Sequence, residues 1–221
     1  MTYHWNFTSI IRYRSLLYEG LGGTLQLGVA SLLSALLIGI LVGLLRTSQP
    51  AGQRTIASIY VGFFRNIPFL VQLFWFYYAI PVLTGVQAKP FVAAWIALSL
   101  YGGAYFGEIY RAGIQSIEKG QWEAARAIGL GYFEVMRSVV LPQAIRHMIP
   151  PLTTQAIELI KLTTVASTIA YFELLYSAKL VSDQDLRPLE AYTSVAVILI
   201  SILLVLSFLA ARLERRLQLA D

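Results

Sequence analysis

Residues 121–142 read QWEAARAIGLGYFEVMRSVVLP, a polar and charged insert between long apolar segments. The stretch 121–128 has the length of two helical turns, with Glu123 in the first turn, where the helix dipole favours an anion. Ala124 and Ala125 are small, so a second surface is able to approach that side closely. Gly129 and Gly131 tolerate positive φ, which suits ending one helix and turning into the next. Phe133, Met136 and Val140 then mark a second short amphipathic segment, and Pro142, after Leu141, stops or restarts it. A helical hairpin lying outside the bilayer is expected. From composition alone, an ordinary amphipathic connector resting on the membrane surface is the alternative.

Working outward from this insert, the flanks are those of a membrane protein. The chain has 221 residues, of which 57% are hydrophobic and 13% charged, and a mean hydropathy of +0.64. A helical span needs about 20 apolar residues. Five segments qualify, near residues 22–45, 56–82, 90–110, 149–172 and 191–211. The fourth is the least uniform, because it carries Glu158, Lys161 and a run of Thr and Ser. The predicted fold is all-α, with five transmembrane helices and a short cytosolic helical hairpin in one membrane domain, residues 1–221.

Basic residues set the orientation, since they concentrate in cytosolic loops. Arg46 and Arg54 lie between the first two spans. Arg111, Lys119, Arg126, Arg137 and Arg146 lie between the third and fourth, and Arg212, Arg215 and Arg216 follow the fifth. On the other side Lys89, Lys179 and Arg187 are outweighed by Glu173, Asp183, Asp185 and Glu190, while Arg12 and Arg14 dissent. The N-terminus is therefore expected outside, with the C-terminus and residues 121–142 inside. The net charge of +5 reflects this bias, with no base-stacking motif to suggest nucleic acid. The first twenty residues lack a signal-peptide pattern, so the first span is expected to stay in the membrane.

Several chemistries find no footing. There is no GxxxxGK[ST] phosphate loop, no GxSxG nucleophile and no HExxH pair, and His4 and His147 are the only histidines. Zero cysteines exclude disulfides and thiolate metal sites. Gly20-Leu21-Gly22-Gly23 reads as a helix entry rather than a phosphate cradle. No repeat divides the spans into two halves, which weighs against a gradient-driven carrier built on inverted repeats.

The residues Glu123-Ala124-Ala125, Gly129 and Val139-x-Leu141-Pro142 resemble the EAA loop of the membrane subunits of ATP-driven importers. From about Gly20 to Arg216 the chain resembles the polar amino-acid branch of bacterial ABC importer permeases. The stretches that carry this are Gly20-x-x-x-Thr24-Leu25, Phe64-Arg65-Asn66-Ile67-Pro68-x-x-Val71-Gln72 and Ala104-Tyr105-x-x-Glu108-Ile109-x-Arg111-Ala112-Gly113, followed by Gly120-Gln121-x-Glu123 and Leu141-Pro142-Gln143-Ala144. Residues 161–169 and Ala178-Lys179-Leu180 look most like permeases for glutamate and aspartate. The resemblance implies a bacterial cytoplasmic (inner) membrane subunit with no catalysis or bound cofactor of its own. It implies a second permease, identical or homologous, and two ATPase subunits that hold ATP and Mg. It also implies an extracytoplasmic solute-binding protein that delivers substrate. Glu123, Ala124, Ala125, Gly129, Leu141 and Pro142 would couple to the ATPase.

Ionisable groups at bilayer depth usually face a protein interior or a wet path. Gln155, Glu158 and Leu162 recur at helical spacing, and Lys161 sits three residues beyond Glu158. Glu158 and Lys161 either neutralise one another, or Lys161, Gln155 and Thr163 or Thr164 line a substrate path opposite Thr24. Many permeases of this branch carry Asp or Asn directly after the lysine, where this chain has Leu162. That favours an acidic substrate over a cationic one. Glu108 and Arg111 read as a structural pair, and Arg65 as packed on helix carbonyls or snorkelling to the inner surface.

Overall fold

The computed structural model describes residues 3–48 and 50–218, the last two of these by backbone only. The membrane domain expected over 1–221 also takes in residues 1, 2, 49 and 219–221, which lie outside the described residues. Every regular element among the described residues is helical. In chain order these are α1 (Thr8–Arg12), α2 (Arg14–Thr47), α3 (Ala51–Asn66), α4 (Phe69–Thr84), α5 (Pro90–Gln115), α6 (Lys119–Ala127), α7 (Tyr132–Ile169), α8 (Leu174–Asp185) and α9 (Pro188–Gln218).

Three helices, α2, α5 and α9, are individually long and apolar enough to cross a membrane, and the number rises to five if α3 with α4 and α7 with α8 each count as one span. The second expected span is thus interrupted at Ile67 and Pro68. Pro68 adopts φ −55°, ψ 135°, outside the helical region, and a residue preceding proline is disfavoured in helix. The first span begins earlier than expected, at Arg14. Gly20-Leu21-Gly22-Gly23 consequently lies inside α2 and is no helix entry.

Two prolines, Pro142, expected to stop or restart a helix, and Pro81, are absorbed within helices. The Leu141 N–H bonds Met136 O and the Ile80 N–H bonds Trp75 O, each closing a wide π turn one residue before Pro142 and Pro81. Opening the backbone by one residue draws the carbonyl four positions back away from the ring, where it would otherwise clash. Pro142 therefore neither stops nor restarts a helix. It lies inside α7, which runs on past Pro150 and Pro151.

The chain forms two compact units, the first of Met1–Leu33, Ile67–Ser99 and Ile157–Leu206, the second of Ser34–Asn66, Leu100–Ala156 and Ser207–Asp221. The first has a core of Leu17, Leu174, Ala178, Val181, Ala191 and Val195. There α2 meets the chain around α8 backbone to backbone: a Cβ on Gly23 would stand 2.0 Å from Phe172 O. In the second unit α2 and α5 approach through reciprocal Gly-x-x-x-Gly pairs. A Cβ on Gly39 would lie 2.5 Å from Phe106 Cβ, and one on Gly107 2.6 Å from Val42 Cγ1. Small residues at such crossings replace the hydrophobic drive that lipid removes. Conversely, Ile200, Leu204, Val205 and Phe208 of α9 are exposed, as suits a helix whose solvent is hydrocarbon.

Candidate coupling hairpin and path-lining residues

α6, Gly129 and the start of α7 form the hairpin. α6 begins at Lys119 rather than Gln121, so Glu123 lies in its second turn. Gly129 takes φ +89°, its N–H bonding Arg126 O at 2.9 Å while the Leu130 N–H reaches Ala125 O at 3.3 Å. Left-handed backbone of this kind is open to glycine at low cost and strained for branched residues. Gly131 has an ordinary φ of −70° and begins the next helix. Its N–H bonds Glu134 Oε2 at 2.9 Å, which supplies one half of a capping box.

The hairpin core consists of Ile117, Ala125, Val135, Val140, Ala144 and Met148. Ala125 therefore packs inward, whereas Glu123 and Ala124 are exposed, as are Leu141 and Pro142. Sequence spacing grouped Phe133 with Met136 and Val140 on one face, and the structure separates them. Val140 is buried, Met136 half-buried and Phe133 73% exposed. The π turn over Met136–Val140 is the cause: the buried positions step by five from Val135 to Val140, then by four to Ala144 and Met148. A strict 3.6 period misplaces the face at such a step. Ile128, 77% exposed, and Tyr132 join Phe133 to form an outward apolar patch at the tip.

The path-lining candidates divide between the units. In the first, Thr24, Lys161 and Thr164 line a cavity of about 360 Å³, otherwise walled by aliphatic side chains such as Leu25, Ile160 and Leu203. Thr24 is buried. Its hydroxyl donates to Gly20 O and accepts the Leu174 N–H, both at 3.1 Å. Lys161 Nζ donates to Glu158 Oε1 at 2.6 Å, the two side chains being 46% and 50% exposed. The Thr163, Thr164, Ser167 and Thr168 hydroxyls each donate to the carbonyl three residues back, at 2.7 Å. The last seven residues of α7 wind as a tighter 3-10 helix, ending at Ala170 with φ +57°. Glu173, fully buried, then caps α8 by accepting the Leu175 and Tyr176 N–H groups at 2.9 and 2.7 Å.

Gln155 belongs to the second unit, on a cavity of about 600 Å³ with Arg65, Tyr105, Glu108, Ser116 and His147. Glu158 and Leu162 line neither cavity. Arg65 lies over the Tyr105 ring, 5.1 Å from its centroid. Ser116 Oγ and His147 Nδ1 are 2.8 Å apart. The expected Glu108–Arg111 pair forms and gains a member, Arg46, that local spacing could not supply. Among the described residues no cluster of three His, Asp or Glu side chains could hold a metal.

Residues 23–219 match the model of the family described as binding-protein-dependent transport system inner membrane component. The chain is 39% identical over 180 residues to the probable amino-acid ABC transporter permease protein YckA of Bacillus subtilis (strain 168), covering 81% of this chain and 79% of that one. It is 38% identical over 205 residues to the glutamine transport system permease protein GlnP of Escherichia coli (strain K12), covering 92% and 94%. A crystal structure of an amino acid ABC transporter with histidines superposes with a TM-score of 0.92 at 33% identity, over 97% of this chain and all of that one.

Proposed function

We propose that this chain, which belongs to the family of binding-protein-dependent transport system inner membrane components, serves the import of a neutral polar amino acid of the glutamine type. It is a permease subunit of an amino-acid ABC importer; ATP hydrolysis falls to a separate ATPase subunit. The observation carrying the substrate reading is the Glu158–Lys161 pair at 2.6 Å. A lysine so neutralised offers little spare positive charge to a second substrate carboxylate, which weakens the case for glutamate or aspartate. The name of the Escherichia coli relative, a glutamine permease, points the same way.

The reading places the N-terminus outside and the hairpin in the bacterial cytosol, five spans with the two broken pairs each counted once. On the side read as outer, Arg12 pairs with Asp185 at 3.7 Å and Arg187 with Glu190 at 2.9 Å. Two permeases, identical or homologous, would enclose the path above two ATPases that hold ATP and Mg. A binding protein would deliver the amino acid from outside. ATPase closure would draw the paired hairpins together and open the cavity outward. The experiment is uptake into proteoliposomes holding the permease, its ATPase and its binding protein. ATP-dependent accumulation of glutamine well above glutamate is expected, and preferential accumulation of glutamate would overturn the substrate reading.

A further inference from the structure

The second unit holds another cavity, of about 350 Å³, that the transport reading leaves without a role. Arg46 near the end of α2, Arg54 in the first turn of α3 and Lys119 at the start of α6 converge on it, and no carboxylate is among its lining residues. Arg46 is partly committed to Glu108, yet its Nε is buried without a partner. Arg54 and Lys119 make no ion pair among the described residues. One wall is aromatic: Trp122 and Tyr132, from the two arms of the hairpin, have ring centroids 6.4 Å apart and planes inclined by 30°.

Arg46, Arg54 and Lys119 face one concavity whose lining offers no carboxylate, so an anion entering it meets only positive side chains. Two guanidinium forks and a compact ammonium suit the several oxygens of a phosphate, which accepts charge-assisted bonds from all three at once. We propose that this cavity binds a phosphate group, carried by an anionic phospholipid headgroup or by free phosphate, and thereby braces both arms of the coupling hairpin. The lipid source rests on the cytosolic orientation given above, which sets these cations on the side of the anionic inner leaflet.

Native mass spectrometry of the full chain with its ATPase, in non-ionic detergent, reads the ligand directly. The probes are dioleoyl phosphatidylglycerol, dioleoyl phosphatidylcholine and inorganic phosphate, each added separately. Retention of phosphatidylglycerol over phosphatidylcholine is expected. A combined Arg54→Gln and Lys119→Gln variant should lower it roughly thirtyfold, whereas Arg212→Gln with Arg215→Gln, outside the cavity, should not. If phosphate alone is retained, and is lost in the same variant, the source is the free ion. Equal retention of both lipids without phosphate binding would overturn the site, as would equal loss in the Arg212 and Arg215 variant. The orientation fails separately, by labelling of Gln121→Cys from outside intact cells, and leaves these readings unchanged.

Discussion

The hairpin tip and the stretch 158–169 handle their surfaces in opposite ways. At the tip, Ile128, Tyr132 and Phe133 turn apolar side chains outward, though Val135 and Val140 behind them are buried. Along 158–169 the polar groups close on each other, Lys161 on Glu158 and each hydroxyl on a carbonyl of its own helix. The tip leaves its apolar side chains uncovered, and the proposed docking on the ATPase would bury them. The polar stretch has spent its charge and most of its hydrogen bonds internally. In this subunit, specificity for a partner is therefore written more plainly than specificity for a substrate.

The largest effect should come from the tip. Ile128→Asp combined with Phe133→Asp removes two side chains whose burial against a partner is worth roughly 1.5–3 kcal/mol each at most. Because both are exposed, the subunit should accumulate normally while its ATPase is lost on co-purification. Normal recovery of the ATPase would show that the patch faces lipid, and the contrast between the regions would collapse.

Gly129→Val comes next. The strain of a branched residue at φ +89° is about 1–3 kcal/mol, so ATP-driven uptake should fall by about tenfold with membrane abundance unchanged. Gly129→Asn, which tolerates left-handed backbone better, should restore most of it. Equal uptake by all three chains would mean that the turn does not limit coupling.

The smallest effect belongs to the polar stretch. A half-exposed ion pair contributes about 0–1 kcal/mol, so Glu158→Gln with Lys161→Gln should keep near-normal abundance and glutamine uptake. Lys161→Gln alone leaves Glu158 uncompensated and should depress acidic amino acids further. Loss of glutamine uptake at normal abundance in both variants would instead place Lys161 on the substrate.

The hairpin was legible because its signals are local: Gly129 followed by Gly131, small residues before them and an apolar run after. Its inner face was not, since the π turn over Met136–Val140 inserts one residue into the period. Phe133 thereby leaves the face that counting assigned to it. Hydropathy counted 56–82 as one segment although Pro68 breaks it, because an averaging window does not register backbone geometry. Glu108 showed its neighbour Arg111 three residues on, while Arg46, sixty-two residues before it, is a partner that only tertiary packing reveals. Thr24 was readable as a polar residue in a span, but its tie to Leu174, 150 residues away, was not.

The most direct measurement places a cysteine at Ile128 or Phe133 of this cysteine-free chain and applies a short thiol–amine cross-linker to the transporting complex in inverted vesicles. Both positions should link to the ATPase subunit, with yields that fall when Gly129→Val is added, and Val82→Cys, equally exposed at the end of α4, should give no link. Absence of any ATPase link at 128 and 133 in vesicles that still accumulate substrate would contradict the account.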